Sequence, residues 1–238
     1  MGSFVQVKAK NAGSVSSDSQ AFTSSVTANS TLVAHFRLGG SGLTTSVSDD
    51  VNGTWTRIGS NPDGFGDTIE KWWLPKAAAG TTTVSLSISA GGPVTARWSI
   101  MEGALGSLGG AIHQQIFHAE TGLSFDSGNI TTTIPAVWLV AGIETEASIS
   151  GESTVYTAGS GYTLRGYPTA DKQAFEEKDV ASTGTYNATA TFTTSGSPGG
   201  SIWLVAFYAA TAGGSTTIFP PFAKSRQVGF IAGVNLSG

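Results

Sequence analysis

Cysteine is absent from the 238-residue chain. That excludes a disulfide framework and any thiolate-bound metal, and it leaves the redox compartment unreadable. Charge is scarce too: Asp, Glu, Lys and Arg make up 12% of the residues, about half the usual ~25%. The balance is −4 and the basic residues do not cluster, so neither a phosphate-binding surface nor a nucleic-acid partner is expected. No apolar run approaches the ~20 residues a membrane helix requires, so no membrane partner is expected. The opening MGSFVQVKAKNAG has no apolar core of the kind a secretory signal carries. Gln6 stands where a myristoylation signal wants Ser or Thr. There is no Gly-x-Ser-x-Gly elbow, and only three histidines occur.

Glycine, at 32 residues, and Ser and Thr fill the gap, while six Trp and twelve Phe supply a core. Thr on the wet face of strands and Gly in turns is the composition of an all-β protein. One hairpin organises the chain. In Thr82 to Gly103, Val84, Leu86 and Ile88 alternate with Thr83, Ser85 and Ser87; a Gly/Pro turn follows, then an apolar strand with Trp98. The pattern returns from Tyr186 to Tyr208, where Ala188, Ala190 and Phe192 alternate with polar residues and a strand with Trp203 follows. A period of two marks strands with one buried face.

Other landmarks recur in the same order. Leu139 to Ile143 lies 107 positions after Leu32 to Phe36, and Tyr162 to Gly166 lies 107 after Trp55 to Gly59. Phe175, Gly184 and Trp203 answer Trp72 or Trp73, Gly80 and Trp98 at slightly shorter offsets. Such an internal repeat predicts two copies of one unit. The reading is two tandem, pseudo-repeated antiparallel β-sandwiches, jelly-roll-like, over residues 1–106 and 107–212, followed by an extended C-terminal arm, 213–238. Predicted strands in the first copy include Phe4 to Lys10, Ala21 to Val26, Leu32 to Phe36 (a run suited to burial on both sides) and Thr68 to Leu74. Asn52-Gly53 marks a hairpin. The one short helical turn expected is Lys76 to Ala79.

The arm changes character. It carries Lys224 and Arg226 and no acid, so the body before it is −6, and Pro220-Pro221 cannot sit in a central strand. Yet Ile218, Phe219, Phe222, Phe230 and Ile231 are too apolar for a solvated tail. These seven residues are candidates for partner binding, and the arm docks either on a neighbouring surface or back on its own sandwich.

Few residues invite chemistry. His35 lies in the apolar run and reads as a core histidine. His113 and His118, five apart on one strand, point to opposite faces and do not share a metal. Glu144 and Glu146 would share a face as paired carboxylates, but an enzyme is not expected and no cofactor is implied. Asp49-Asp50-x-Asn52 and Asp63-x-x-x-Asp67 could offer oxygens to Ca²⁺, yet Asp, Asn and Gly are also what turns need. The turn reading is the stronger, and no metal site is assigned. Among the aromatics Trp72, Trp73, Tyr156, Tyr162 and Tyr167, glycan stacking falls first to Trp72, Trp73 and Tyr167.

From Asp50-Val51-Asn52-Gly53-Thr54-Trp55-Thr56, through Lys71-Trp72-Trp73, to Ala79-Gly80-Thr81-Thr82-Thr83-Val84 and Ser99 to Gly103, the sequence resembles a loose group of β-sandwich structural proteins of tailed bacteriophages and bacteria. Ala158 to Arg165 resembles a second part of the same group. The resemblance covers about residues 4 to 210, with Asn and Gly of the turn exchanged. It implies a non-enzymatic virion component, made in the bacterial cytoplasm: a capsid decoration (cement) protein, or a collar or tail component. The partners it implies are further copies of the chain, with a trimer as one option, and another virion protein such as the major capsid protein. The alternative is a lectin-like module for carbohydrate or host attachment.

Overall fold

The computed structural model describes residues 3–81, 83–89, 91–104, 110–145, 155–166, 173–193 and 199–209. Among them the regular structure is all strand, with no helix, and so none that could cross a membrane. The first copy supplies β1 (Ser3–Val15), β2 (Ser17–Ala21), β3 (Ser30–Leu38), β4 (Thr44–Asp49), β5 (Gly53–Thr54), β6 (Thr56–Pro62), β7 (Thr68–Ala77), β8 (Thr83–Ser89) and β9 (Val94–Ala104). The second supplies β10 (Gly110–Thr121), β11 (Ser124–Asp126), β12 (Ile130–Thr132), β13 (Val137–Thr145), β14 (Val155–Ala158), β15 (Thr163–Arg165), β16 (Gln173–Val180), β17 (Gly184–Tyr186), β18 (Thr189–Thr193) and β19 (Gly199–Ala209).

The two copies have one topology. In the first, a five-stranded sheet β1-β9-β3-β7-β6 faces a four-stranded sheet β2-β8-β4-β5. In the second, β10-β19-β13-β16-β15 faces β11-β18-β14, with β12-β17 as a short extra pair. First strand pairs with last and second with last but one, the Greek-key nesting of a jelly roll. Alternation drives each layer. Val84, Leu86 and Ile88 of β8 enter the first core while Ser85 and Ser87 stay wet, and Ala190 and Phe192 of β18 do the same in the second.

Strands β3 and β13 are buried along their whole length, as the continuous apolar runs predict. Leu32, Ala34, Phe36 and Leu38 face the first core, and Leu139, Ala141 and Ile143 face the second. Their other faces meet. Val33, Ile69 and Met101 of the first copy pack with Trp138, Val140, Phe175, Trp203, Val205 and Phe207 of the second in a third apolar cluster. The two large sheets are therefore the inner layers of a four-layer stack. The contacts across this seam are reciprocal: β1 lies against β16, and β10 against β7.

The ladders correct three expectations. His35 pairs with Ser99, whereas Gly142, its counterpart 107 residues on, pairs with Trp203. Trp203 thus answers Ser99, and Trp98 answers Ile202. A one-residue slip moves a side chain to the opposite face, so Trp98 lies in the first core and Trp203 in the seam. By the same reasoning Phe175 answers Lys71 rather than a tryptophan. The second strand is Ser17–Ala21, ahead of the expected Ala21 to Val26, because Gln20 and Ala21 pair with Val84 and Thr83 and exhaust β8. Lys76 to Ala79 is no helical turn: β7 runs on to Ala77, and Lys76 has φ of 53°. The expected boundaries at 106/107 and 212/213, and the arm beyond, fall outside the described residues.

Candidate functional site: a charged and aromatic seam

The seam holds the polar groups that look most like chemistry. β3 places His35 and Arg37 on its seam face, two residues apart and fully or nearly buried. Arg37 lies against β13 and the Asp63–Asp67 loop. Its Nη2 is 2.7 Å from Asp67 Oδ2 and 3.5 Å from Asp63 Oδ2, and its Nε is 3.9 Å from Glu144 Oε2. Nη1 donates to the Thr145 carbonyl at 2.9 Å. Arg97, its cross-strand partner on β9, has its guanidinium pulled down by burial and by the Arg37 charge beside it. Two like charges side by side are tolerable only because carboxylates gather around them.

Glu144 is fully buried, and desolvation pushes its carboxyl up to about 8 against the opposing pull of Arg37. The Ser201 hydroxyl donates to its Oε1 at 3.2 Å. Gln173 of the second copy closes the patch, accepting from the Ser99 hydroxyl and donating to the Arg97 carbonyl.

Beside this patch stand His35 and Lys71, cross-strand partners on β3 and β7. The imidazole is edge-on to Trp203 (centroids 5.5 Å apart, 89°) and to Phe175 (6.2 Å, 64°). Burial, then the nearby Lys71 charge, lowers it to about 3. Burial pulls the Lys71 ammonium down to about 7, against the Asn61 carbonyl at 2.9 Å and the Phe117 ring at 4.8 Å, which both favour the charged form.

Three glycine notches receive side chains across the seam. A Cβ on Gly103 would lie 2.2 Å from the Trp138 ring, on Gly166 2.4 Å from Val7, and on Gly199 2.4 Å from the Phe65 ring. Trp138 is held from its other side by its indole N–H, which donates to Glu177, itself paired with Arg165.

The expected candidates fall as follows. Glu144 is buried in the seam, and Glu146 lies outside the described residues. Trp72 is in the first core, 6% exposed, its N–H donating to Glu70 at 2.8 Å, so neither ring face is open to a sugar. Trp73 packs partly buried against Phe207 in the seam. Tyr167 and the arm residues Ile218, Phe219, Phe222, Lys224, Arg226, Phe230 and Ile231 lie outside the described residues. Tyr156 is in the second core with Phe192, and Lys178 caps the half-buried Tyr162 ring.

His113 accepts from Thr133 N–H, while His118 lies beside Glu120 and the Asp126 carbonyl, so the two share no ligand. The Asp loops serve turns. Asp49 accepts from Val51 N–H and the Trp55 indole. Asp63 Oδ1 accepts from Phe65 and Asp67 N–H, and the cation this second loop faces is the Arg37 guanidinium. Among the described residues no three His, Asp or Glu side chains converge on a metal.

Sequence reasoning passed over Arg37, Lys71, Arg97 and Gln173. One signal was available: Arg37 and Glu144 are equivalent positions of the repeat with opposite charges. Away from the seam, Ser17, Ser19, Ser46, Ser48, Ser85 and Ser87 line a shallow groove of about 540 Å³ on the outer sheet of the first copy. Comparison with family models, curated proteins and solved structures found no match.

Proposed function

We propose that this chain is a non-enzymatic structural protein of a phage-like virion, a capsid decoration or cement protein or a collar or tail component, and that it docks on neighbouring subunits through its arm, 213–238. The observation that carries this reading is where the ionisable groups have gone. Arg37, Lys71, His35 and Glu144 join one half of the molecule to the other rather than converging on an open cleft. Two jelly rolls clamped through their larger sheets make a stiff block with two hydroxyl-rich outer faces. An apolar, basic arm on an acidic body suits attachment to further copies and to a capsid-type partner.

The test is the solution mass of the full chain by light scattering, beside a chain ending at residue 212. A closed oligomer that falls to a monomer on truncation, with an unchanged β signal in circular dichroism, supports the reading. A monomeric full chain, unaltered by truncation, overturns it. The serine-lined groove favours one second reading, a carbohydrate-binding module. Retention of the full chain on immobilised polysaccharide, lost in Ser46→Lys and Ser87→Lys, would replace the first reading with the second.

A further inference from the structure

We propose that the seam between the two sandwiches is an acid-opened joint, in which protonation of His35 beside Lys71 parts the two inner sheets while each sandwich stays folded. The geometry supplies three reasons.

First, His35 is wholly buried, and neither ring nitrogen has a hydrogen-bond partner. The edge-on Trp203 and Phe175 rings that surround it belong to the other sandwich. Among the described residues, an imidazolium formed there has no carboxylate within ion-pairing reach. The charged groups packed around it are accounted for on each element. Lys71 on β7, Arg37 on its own strand and Arg97 on β9 are cations. Glu144 on β13 and Asp63 and Asp67 in their loop gather round Arg37. Glu177 on β16 is engaged with Trp138 and Arg165. β6, β10 and β19 present Asn61, Phe117 and Trp203.

Second, a charge of the same sign, Lys71, stands directly opposite in the ladder and acts on the imidazole. Opening the seam delivers both groups to water, where an imidazole takes its proton readily.

Third, the two sandwich cores contain none of the seam cluster's residues. Parting the inner sheets therefore leaves Phe36, Trp98, Leu139 and Phe192 packed as they are.

The window follows from linkage. His35 holds its proton below about 3 in the closed seam and below 6.5 when free, so closure weakens as pH falls from 6.5 to about 3. Glu144 acts oppositely: about 8 when closed against 4.5 when free, it favours closure increasingly as pH falls from 8 to 4.5. The two offset each other down to about 4.5, and opening is confined to the range below it.

The experiment takes the full chain from pH 7 to pH 3 and follows tryptophan emission, binding of an apolar dye, radius of gyration by small-angle scattering and far-ultraviolet circular dichroism. Expected are a red shift, dye binding and a larger radius between pH 4.5 and 3 with the β signal kept. In His35→Phe the midpoint is expected to fall by at least one pH unit, and in Lys71→Met, which removes the like charge, to fall as well. Loss of the β signal together with the emission change overturns the proposal, as does a His35→Phe midpoint equal to that of the parent. Should His35→Phe fail to fold at pH 7, Lys71→Met decides, and an unmoved midpoint there overturns it.

Discussion

Arg37 and Glu144 occupy the same place in the two halves of the repeat, 107 residues apart, and they face each other across the seam with Nε 3.9 Å from Oε2. Equivalent positions meet only near an axis that relates the halves, as in an isologous contact. Two copies of one residue would repel there. A single chain can carry a cation on one side and an acid on the other.

Arg37→Met is expected to cost about 3–5 kcal/mol, because it leaves the buried Asp63 without its cation and the Thr145 carbonyl without its donor. Glu144→Gln should cost far less at pH 6, where the carboxyl is already protonated. Urea unfolding of both variants at pH 6 checks the ranking.

The same glutamate predicts a pH trend. Folded, Glu144 keeps its proton up to about 8; unfolded, it releases it near 4.5. The folded chain holds the extra proton in that window, so this group's contribution to stability falls as pH climbs from about 4.5 to about 8. The parent minus Glu144→Gln difference in Tm should shrink or reverse over that range.

Lys71 has the opposite sign. The unfolded ammonium titrates near 10.5 and the folded one near 7, so its contribution rises as pH goes from about 7 to 10.5. Lys71→Met should melt higher than the parent at pH 6 and lose that rise, as calorimetry across the range would show.

Gly103→Ala puts a methyl where the Trp138 ring already lies, at 2.2 Å. Overpacking of this kind costs typically ~1–3 kcal/mol. The double change with Trp138→Leu should recover part of it in a urea-unfolding cycle.

Trp72→Ala should destabilise the first sandwich by about 3–5 kcal/mol, since it empties a core site and strips the indole donor from Glu70. Denaturant unfolding reads that loss directly, and any fall in sugar binding would track it.

The architecture was legible because apolar alternation and the recurring Leu32 and Leu139 runs report burial directly. The register of the repeat was not. Trp98 and Trp203 invite alignment as like residues, yet a single-residue slip puts them on opposite faces. Within the stretch from Asp50 to Val84 that carries the resemblance, Asn52 has a mechanical part in the fold. The Asn52 side chain donates to the Thr81 hydroxyl and accepts from Ala78 N–H, tying the β4–β5 hairpin to the turn before β8. His35 was read as a core residue, and it is buried, but as an unpaired group among the rings of the other half. The site itself stayed hidden because its members come from β3, β7, β9, β13 and β16, and only folding brings them together.

The glycine notches bear on how the block carries load. Two smooth apolar sheets would slide, because dispersion contacts offer little resistance to lateral displacement. Here Trp138 keys into Gly103, Val7 into Gly166 and Phe65 into Gly199, with tabs running in both directions across the seam. Shear along the sheet plane must lift a side chain out of a notch before anything moves. A force applied to one half is therefore passed to the other as to a single solid, and the joint yields by peeling apart, not by slipping.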